Sequence, residues 1–437
     1  MKFLLLACTL EALFLSVRLM GEIRQHIVET IAISLAAGLF YLISSFLILR
    51  SPAQESSRKR ALWIIAAGVV FRLTVFPLDP GLSDDPFRYR WEGKLQAAGG
   101  NPYQVRPNDP DWVGMRDSAF DRVAGKDFKA IYGPLVQLIQ RGMYPLAARF
   151  EPDPVRQVLW FKLPYALFDL AAIAALWGLL AAHGLATDRV LLYAWSPLTV
   201  MEFWAIGHND STAVLLVLLA LLAAARKRWT WSFSALALAT AAKIWPVFLF
   251  PIFIGWSGWK PRRLFQCWVA LPILFLLALP YWSDVEENAR FLSGFVSGWR
   301  NNDSLYGLVL WATGDVYRAK KLTLAVIAAA SVGVTVLGWK LERAVLTVLT
   351  LLLMLSANCH PWYLTWILPL LAFSPIPGLL LWTVLAPLAY ATVIGWVTLG
   401  EWDGSTMFRW YEYVPVYGLL IGTWVYRYLN RCKEVHW

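Results

Sequence analysis

The sequence predicts an all-α protein that crosses a membrane many times, and three observations predict it. Of the 437 residues, 58% are hydrophobic and only 16% are charged, against about 25% charged residues in an average soluble domain. The apolar residues fall in repeated runs of about 20, the length that a helix needs to cross a bilayer. The 25 tryptophans also fit many crossings, because an amphipathic ring favours the membrane–water interface.

The apolar runs predict about twelve crossings within a single membrane domain over 1–437. The first run, 2–20, is expected to be a retained span rather than a signal peptide, since Glu11 and Arg18 interrupt it and no small-residue cleavage site follows. The other predicted spans are 28–49, 61–78, 131–149, 159–181, 211–225, 264–282, 320–339, 344–358, 362–374, 376–399 and 411–426.

Basic clusters between the apolar runs predict the orientation. Clusters at 58–60, 226–228 and 260–263 are expected in the cytoplasm, where positively charged loops are retained. Two long polar loops, 79–130 and 283–319, then face the periplasm or the cell exterior of a multi-pass protein of the cell (inner) membrane. Because the net charge of +10 is divided among such short clusters, it argues against a nucleic-acid partner.

Two apolar segments cannot cross the membrane completely if every basic cluster is cytoplasmic. These are 189–206 and 231–255, and each contains a proline, Pro197 or Pro246, that breaks a helix. We expect both to be re-entrant half-helices. Such broken helices occur at membrane depth only where they are buried in protein or line a polar cavity.

The most unusual polar segment is 83–107, SDDPFRYRWEGKLQAAGGNPYQVRP. It opens with the adjacent carboxylates Asp84 and Asp85, and then alternates charged and aromatic residues. In an average loop such acids would cap a helix or stabilise a turn. This loop is less average, because it concentrates acids, bases and aromatics in a chain that is otherwise poor in charge.

These residue types suit the transfer of a sugar from a lipid-linked phosphate. A carboxylate can remove a proton from an acceptor hydroxyl, arginine and lysine bind phosphate, and aromatic rings stack on sugar faces. The candidate catalytic residues are Asp84 and Asp85, and the candidate substrate contacts in this loop are Arg88, Arg90, Glu92, Lys94 and Tyr103.

Three further polar clusters are predicted at the outer ends of apolar runs: GHND at 207–210, RNND at 300–303 and NCHPWY at 358–363. We expect them to share one face with the first loop. Each candidate also has a purely structural interpretation, as a helix cap, a snorkelling lysine or one half of an ion pair. The candidate substrate contacts outside the first loop are His208, Asn209, Asp210, Lys243 and His360.

In this order, the motifs resemble those of the bacterial polyprenyl-phosphate-sugar mannosyltransferases of the GT-C superfamily. The resemblance rests on the 83–107 loop, on Tyr132-Gly133-Pro134-Leu135, on WSPLTVMEFWAIGHND, on Lys243-Ile-Trp-Pro246 and on HPWYLTWILP. The sequence departs from that pattern at three positions, with Ser196 for Asn, Gly133 for a second Pro and Glu92 for Asp.

The resemblance implies an inverting transfer of a hexose, mannose above all, from a polyprenyl-phosphate donor in the bilayer to a glycan or glycolipid acceptor. It implies Asp85, with Asp84, as the base, Arg88 and Arg90 as contacts of the leaving phosphate, and GHND as part of the pocket. No obligatory metal or other cofactor is expected, although the pair Asp84 and Asp85 could hold a cation. The alternatives are a flippase or transporter of lipid-linked sugars, although no internal repeat of the kind common in transporters is seen, and a transferase of another group such as aminoarabinose.

Overall fold

The computed structural model describes residues 1–52, 58–284, 300–400, 402 and 407–434. Within these ranges every regular element is helical, and extended backbone pairs only in an isolated bridge between Asn301 and Asn358, so the predicted all-α class is confirmed. The α-helices there are α1 (Lys2–Met20), α2 (Ile27–Arg50), α3 (Arg58–Val75), α4 (Asp85–Ala97), α5 (Pro134–Phe150), α6 (Val158–Ala182), α7 (Leu191–Ala194), α8 (Pro197–Val200), α9 (Asp210–Ala225), α10 (Trp229–Ala242), α11 (Phe250–Ser257), α12 (Pro261–Cys267), α13 (Ala270–Ala278), α14 (Leu305–Thr313), α15 (Val316–Val336), α16 (Leu341–Met354), α17 (Pro377–Leu385), α18 (Ala391–Leu399) and α19 (Phe408–Glu434).

Several of these elements are long and apolar enough to span a membrane, so the chain is a helical membrane protein. The remaining predicted crossings fall on helices that are shorter, less apolar or interrupted, and the total of twelve stays a prediction. The six candidate spans found in the described ranges are Lys2–Met20, Ile27–Arg50, Val158–Ala182, Pro261–Trp282, Val316–Val336 and Pro377–Leu399.

Both segments that were predicted to be broken are interrupted at the expected prolines. In the first, α7 ends at Ala194 and Pro197 opens α8, which continues as a π-helix over Met201–Ile206. In the second, α10 ends at Ala242, Lys243 is extended, and a 3₁₀ turn containing Pro246 follows. Proline lacks the N–H that would continue the helix and fits best in a first turn. The breaks place polar residues inside an otherwise apolar body.

A fully buried ion pair anchors the first broken segment. The guanidinium of Arg72 on α3 lies 2.5 Å from the carboxylate of Asp169 on α6, and it also donates to the carbonyl of Ala194 and the hydroxyl of Thr199. The indole of Trp204 donates to Asp169 at 2.9 Å. Removing one member of such a buried pair costs about 3–5 kcal/mol, so the residues around 194–204 are held firmly.

The first polar loop is an ordered part of the body. Its helix α4 begins after Asp84, carries a proline in its first turn and ends before Gly99, whose φ of +88° suits glycine. The helix packs against α5 and α6 and is buried on nearly all sides. Of the second predicted loop, 283–319, residues 285–299 lie outside the described residues, and the chain is helical again from Leu305.

Candidate active site

The adjacent aspartates at the start of α4 have different surroundings. Asp84 accepts hydrogen bonds from Arg24 at 2.8 and 2.9 Å and from Arg122 at 3.1 Å, and Arg122 also binds Asp79. Asp85 makes no ion pair with an arginine or lysine in the described part of the chain. Its carboxylate, 23% exposed, lies 3.9 Å from Nε2 of His208. Asp85 is therefore the carboxylate that is left available.

The environment of Asp85 makes it a stronger base than an ordinary aspartate. Burial raises its pKa to about 6, although the positive charge of Lys243 and a hydrogen bond from the Tyr132 hydroxyl lower it. The negative charges of Asp210 and Asp84 add to the increase. A carboxyl group with this pKa is ionised at pH 7 and still accepts a proton well, which is the compromise that general-base catalysis needs.

His208 is fixed by the turn that precedes it. The π-helix ends at Gly207, whose φ of +93° is accessible to glycine, and the chain then folds back so that Nδ1 of His208 lies 2.9 Å from Oε2 of Glu202. The hydroxyl of Tyr390 donates to the same oxygen at 2.8 Å. The other ring nitrogen of His208 is buried, faces Asp85 and has no hydrogen-bond partner in the described part of the chain.

Lys243 lies at the break between α10 and the following turn and pairs with the first residue of α9. Its ammonium is 3.1 Å from Oδ2 of Asp210, whose other oxygen accepts from the indole of Trp366 at 2.8 Å. The rings of Tyr132 and Tyr363 lie 5.7 and 6.0 Å from the ammonium. Lys243 is 17% exposed, so it is a cation between aromatic walls that a ligand can still reach.

Tyr132 lies beside Lys243 because the backbone at Gly133 closely approaches the backbone at the end of α10. Gly133 donates its N–H to the carbonyl of Ala242, and a Cβ at Gly133 would lie 2.1 Å from the carbonyl oxygen of Ala241. No side chain fits there. Tyr103 also holds the Tyr132 backbone in place, since its hydroxyl donates to the carbonyl of Tyr132 at 2.6 Å.

The RNND and NCHPWY clusters also meet. Asn301 and the 357–359 segment exchange backbone hydrogen bonds, and the Asn301 amide nitrogen lies 3.1 Å from Nδ1 of His360. The His360 ring stacks on Trp362 at 4.4 Å, and Trp362 stacks on His208 at 3.8 Å. Side chains from all four predicted polar clusters therefore converge.

Arg88 and Glu92, by contrast, hold the first loop together. Arg88 donates to Glu92 at 2.7 Å and to the carbonyls of residues 124, 125 and 128, so all of its nitrogens are engaged. Glu92 also accepts from Gln137 at 2.7 Å. Burial raises the pKa of Glu92, against the opposing effects of Arg88 and Gln137.

Arg90 and Lys94 converge on Asp117 in the second half of the same loop. Arg90 binds both oxygens of Asp117, at 3.1 and 2.8 Å, and Lys94 lies 2.7 Å from one of them. Burial would raise the pKa of Asp117, but the hydrogen bonds and charges of Arg90 and Lys94 outweigh it and leave the pKa below its usual value. These cations are directed at the protein itself.

Several buried polar atoms of these clusters have no hydrogen-bond partner among the residues that the structure describes. Besides Nε2 of His208, they include both side-chain polar atoms of Asn209, Oδ1 of Asn301 and the hydroxyl of Tyr89. An unsatisfied buried polar group costs about 1–3 kcal/mol, so a group of them is typical of a site that binds a polar ligand. In the described ranges, no group of three or more His, Cys, Asp or Glu side chains is arranged for a metal ion.

Sequence reasoning missed Glu202 and Tyr390. Glu202 had a usable signal, because a lone acid in an apolar segment is costly and has a partner or a task. Tyr390 had none, since it is one of many tyrosines in apolar surroundings and lies 188 residues from Glu202.

Comparison with known proteins identifies the family. The model of the alpha-(1->6)-mannopyranosyltransferase N-terminal domain (MptA_B family) matches residues 8–259, which include the first loop, GHND and Lys243. Neither the curated proteins nor the solved structures gave a match. Since the family match covers more than half of the chain, the protein belongs to the alpha-(1->6)-mannopyranosyltransferase family and is a membrane mannosyltransferase of the GT-C type.

Proposed function

We propose that the protein transfers mannose, with inversion, from a polyprenyl-phosphate donor to a hydroxyl of a glycan or glycolipid acceptor at the outer face of the membrane. The family name suggests the 6-hydroxyl of a mannoside as the acceptor group and an α-linkage in the product. An α-linkage formed with inversion requires a β-linked donor. The observation that carries the proposal is the convergence of two groups on one polar site within a membrane protein: the carboxylate of Asp85, which makes no ion pair with an arginine or lysine among the described residues, and the accessible cation Lys243.

Asp85 is the base in this proposal, and Asp84 supports the loop that carries it. An ion-paired carboxylate such as Asp84, with Arg24 and Arg122 on its oxygens, is a poor proton acceptor, because protonation would break those pairs. Asp85 has no such pairs within the described ranges, and its pKa of about 6 suits proton removal near neutral pH. As Asp85 takes the hydroxyl proton, the acceptor oxygen bonds to C1 of mannose, and the electron pair of the C1–O bond leaves with the phosphate.

Lys243 is the cation that we assign to the leaving phosphate. A phosphate can replace Asp210 as its partner or bind beside it, and the walls of Tyr132 and Tyr363 strengthen the attraction by excluding water. The phosphate contacts predicted for Arg88 and Arg90 stay predictions, since a donor would have to displace their bonds within the loop. The same holds for Glu92, Lys94 and Tyr103. Asn209, Asp210 and His360 are proposed to line the pocket.

The proposed topology is a single membrane domain over 1–437 with about twelve crossings and two re-entrant segments. The 79–130 loop, and with it the active site, would face the periplasm or cell exterior. A cysteine introduced at Ser83 of the loop should then react with an impermeant thiol reagent added to intact cells. If the cysteine reacts only after permeabilisation, the true topology is the inverse of the proposed one.

Transfer by the purified enzyme tests the function directly. The wild-type protein in nanodiscs, given a short-chain polyprenyl-phosphate β-mannose and an α-mannoside acceptor, should form an α-linked product, read by the anomeric proton coupling. The α-linked donor and a nucleotide-linked mannose are the matched controls and should give none. Lipid-linked sugar that is flipped across proteoliposomes without transfer would favour the transporter reading instead.

A further inference from the structure

The buried Glu202 has no part in the proposed chemistry, yet it is connected to it. Its side chain is 1% exposed and lies in the π-helix that precedes GHND. Single-turn π segments inside α-helices occur frequently at functional sites. Here the π-helix and Gly207 together bring residues 202 and 208 into contact, and the backbone N–H of His208 donates to the carbonyl of Glu202 at 2.8 Å. The contact is therefore made twice, through backbone and side chain.

The hydrogen bonds around Glu202 select the tautomer of His208. Oε2 of Glu202 accepts from the Tyr390 hydroxyl and faces Nδ1 of His208 at 2.9 Å. If Glu202 is ionised and accepts both bonds, Nδ1 carries the hydrogen and Nε2 presents its lone pair to Asp85 across 3.9 Å. Stacking on Trp362 at 3.8 Å fixes the ring plane. A base that is oriented by a buried carboxylate is the arrangement that also directs histidine in hydrolase triads.

We propose that Glu202 and Tyr390 position His208 to receive the proton that Asp85 removes from the acceptor hydroxyl, so that Asp85, His208 and Glu202 form a proton relay. This proposal rests on the proposed function. The hydroxyl proton passes first to the Asp85 carboxylate as the glycosidic bond forms and the phosphate leaves. It then passes from Asp85 to Nε2 of His208, and the carboxylate of Glu202 stabilises the resulting imidazolium.

The relay restores Asp85 to its anionic form while the leaving phosphate is still in the site. The 3.9 Å separation is long for direct transfer, but catalytic hydrogen bonds tighten when the substrate closes the site. When the products depart, the proton returns through Asp85 to water. The charged and titratable groups that act on His208 and Glu202 are Asp85, Asp210, Lys243, His360 and Tyr390. Lys243 and His360 oppose a positive charge on His208, so the relay depends on the negative charges of Asp85 and Glu202 to offset them.

The first test is the kinetics of Glu202→Gln. The glutamine oxygen can still accept from Nδ1 of His208, so the variant removes the negative charge and retains the shape. We expect kcat to fall roughly 10–10²-fold, because the imidazolium loses its counter-charge, with KM for donor and acceptor within about twofold. Tyr390→Phe should give a smaller fall of the same kind. Glu11→Gln, which alters a carboxylate bonded only to Thr74 among the described contacts, is the matched control and should retain wild-type kcat.

The second test does not depend on turnover. The chain has five histidines, so ¹⁵N-histidine NMR of the whole protein is tractable, and His208→Asn assigns the signal. We expect a protonated Nδ1 and a bare Nε2 in the wild type. In Glu202→Gln, the imidazolium of His208 should form only at a pH at least one unit lower.

The outcomes separate the two proposals. If the wild type transfers mannose and Glu202→Gln retains kcat within twofold, the relay is wrong and the proposed function stands. An unchanged His208 titration in Glu202→Gln would equally overturn the relay. If Glu202→Gln does not fold, the relay is tested by the kcat of Tyr390→Phe and by the tautomer of His208 in the wild type. A wild type that transfers no mannose from any polyprenyl-phosphate donor overturns the function and the relay together.

Discussion

Two consecutive residues, Asp84 and Asp85, lie in surroundings of opposite character. Through most of the loop, charges are matched within the protein: Arg24 and Arg122 bind Asp84, and the basic residues of α4 bind Glu92, Asp117 and backbone carbonyls. Around Asp85, the carboxylate makes no ion pair with an arginine or lysine, and Nε2 of His208 and the side-chain amide of Asn209 make no hydrogen bond, among the residues that the structure describes. A high density of charged residues therefore identifies the loop in the sequence. Polar and charged groups that are not matched within the protein identify the candidate site in the structure.

The strongest test of this comparison is Asp85→Asn. Without the base, transfer should fall about 10²–10⁴-fold, measured as initial rates under saturating substrate. Stability should be unchanged or higher. Burial raises the pKa of Asp85 from 3.8 to about 6 in the folded protein, so its ionisation lowers stability progressively between about pH 4 and pH 6, the full cost remains above that range, and asparagine removes it. A large loss of thermal stability in Asp85→Asn would contradict the view that this carboxylate is kept for function.

Removal of the site's cation, Lys243, should have the next largest effect on activity. Lys243→Met alone would leave Asp210 buried without its partner, which costs several kcal/mol. The double variant Lys243→Met with Asp210→Asn removes both charges and should fold. We expect its KM for the lipid donor to rise roughly 10–10²-fold, since a charged hydrogen bond to phosphate contributes about 1.5–3 kcal/mol.

Lys243→Arg is the matched control, because it keeps the charge and should recover most of the donor affinity. If the double variant binds the donor as tightly as the wild type, the phosphate lies elsewhere, and the predicted contacts Arg88 and Arg90 become the candidates to examine.

The pH dependence of the reaction sharpens the assignment of the base. A base works only when it is deprotonated, so kcat/KM should fall about tenfold per pH unit below the pKa of Asp85 and level off above it. Because burial raises that pKa to about 6, the decline should begin near pH 6. A decline that begins near pH 4 would indicate a carboxylate in an ordinary environment. The residual activity of Asp85→Asn should lack this decline.

The sequence predicted the fold class and the meeting of the four polar clusters, because those features depend on local patterns. Apolar runs indicate membrane-spanning helices, and the prolines at 197 and 246 indicate where helices are broken. Basic clusters indicate on which side of the membrane a loop is expected. The structure brings Asp85, His208 and Asn301 towards one site as expected. It interrupts both segments that were predicted to be broken.

The partners of individual side chains could not be predicted. Arg90 meets Asp117 across 27 residues, and nothing in the spacing indicates that this loop folds back on α4. Glu202 and His208 are six residues apart, a separation that an α-helix does not bring to one face. Only the π-helix and the turn at Gly207 do so. Whether a charge is matched is therefore a property of the fold and not of the motif.

The smallest effect on activity is expected from Asp84→Asn, the isosteric counterpart of Asp85→Asn one residue earlier. The change removes the negative charge that faces Arg24 and Arg122, while the amide oxygen can still accept a hydrogen bond and Arg122 keeps its pair with Asp79. These side chains are 18–31% exposed, and a partly exposed pair contributes about 1 kcal/mol. We expect a lower midpoint of thermal unfolding with kcat reduced less than tenfold, since the base itself remains. Should Asp84→Asn instead lose as much activity as Asp85→Asn at unchanged stability, the two aspartates would act as one catalytic unit, and a rate for the double variant no lower than for either single variant would show it.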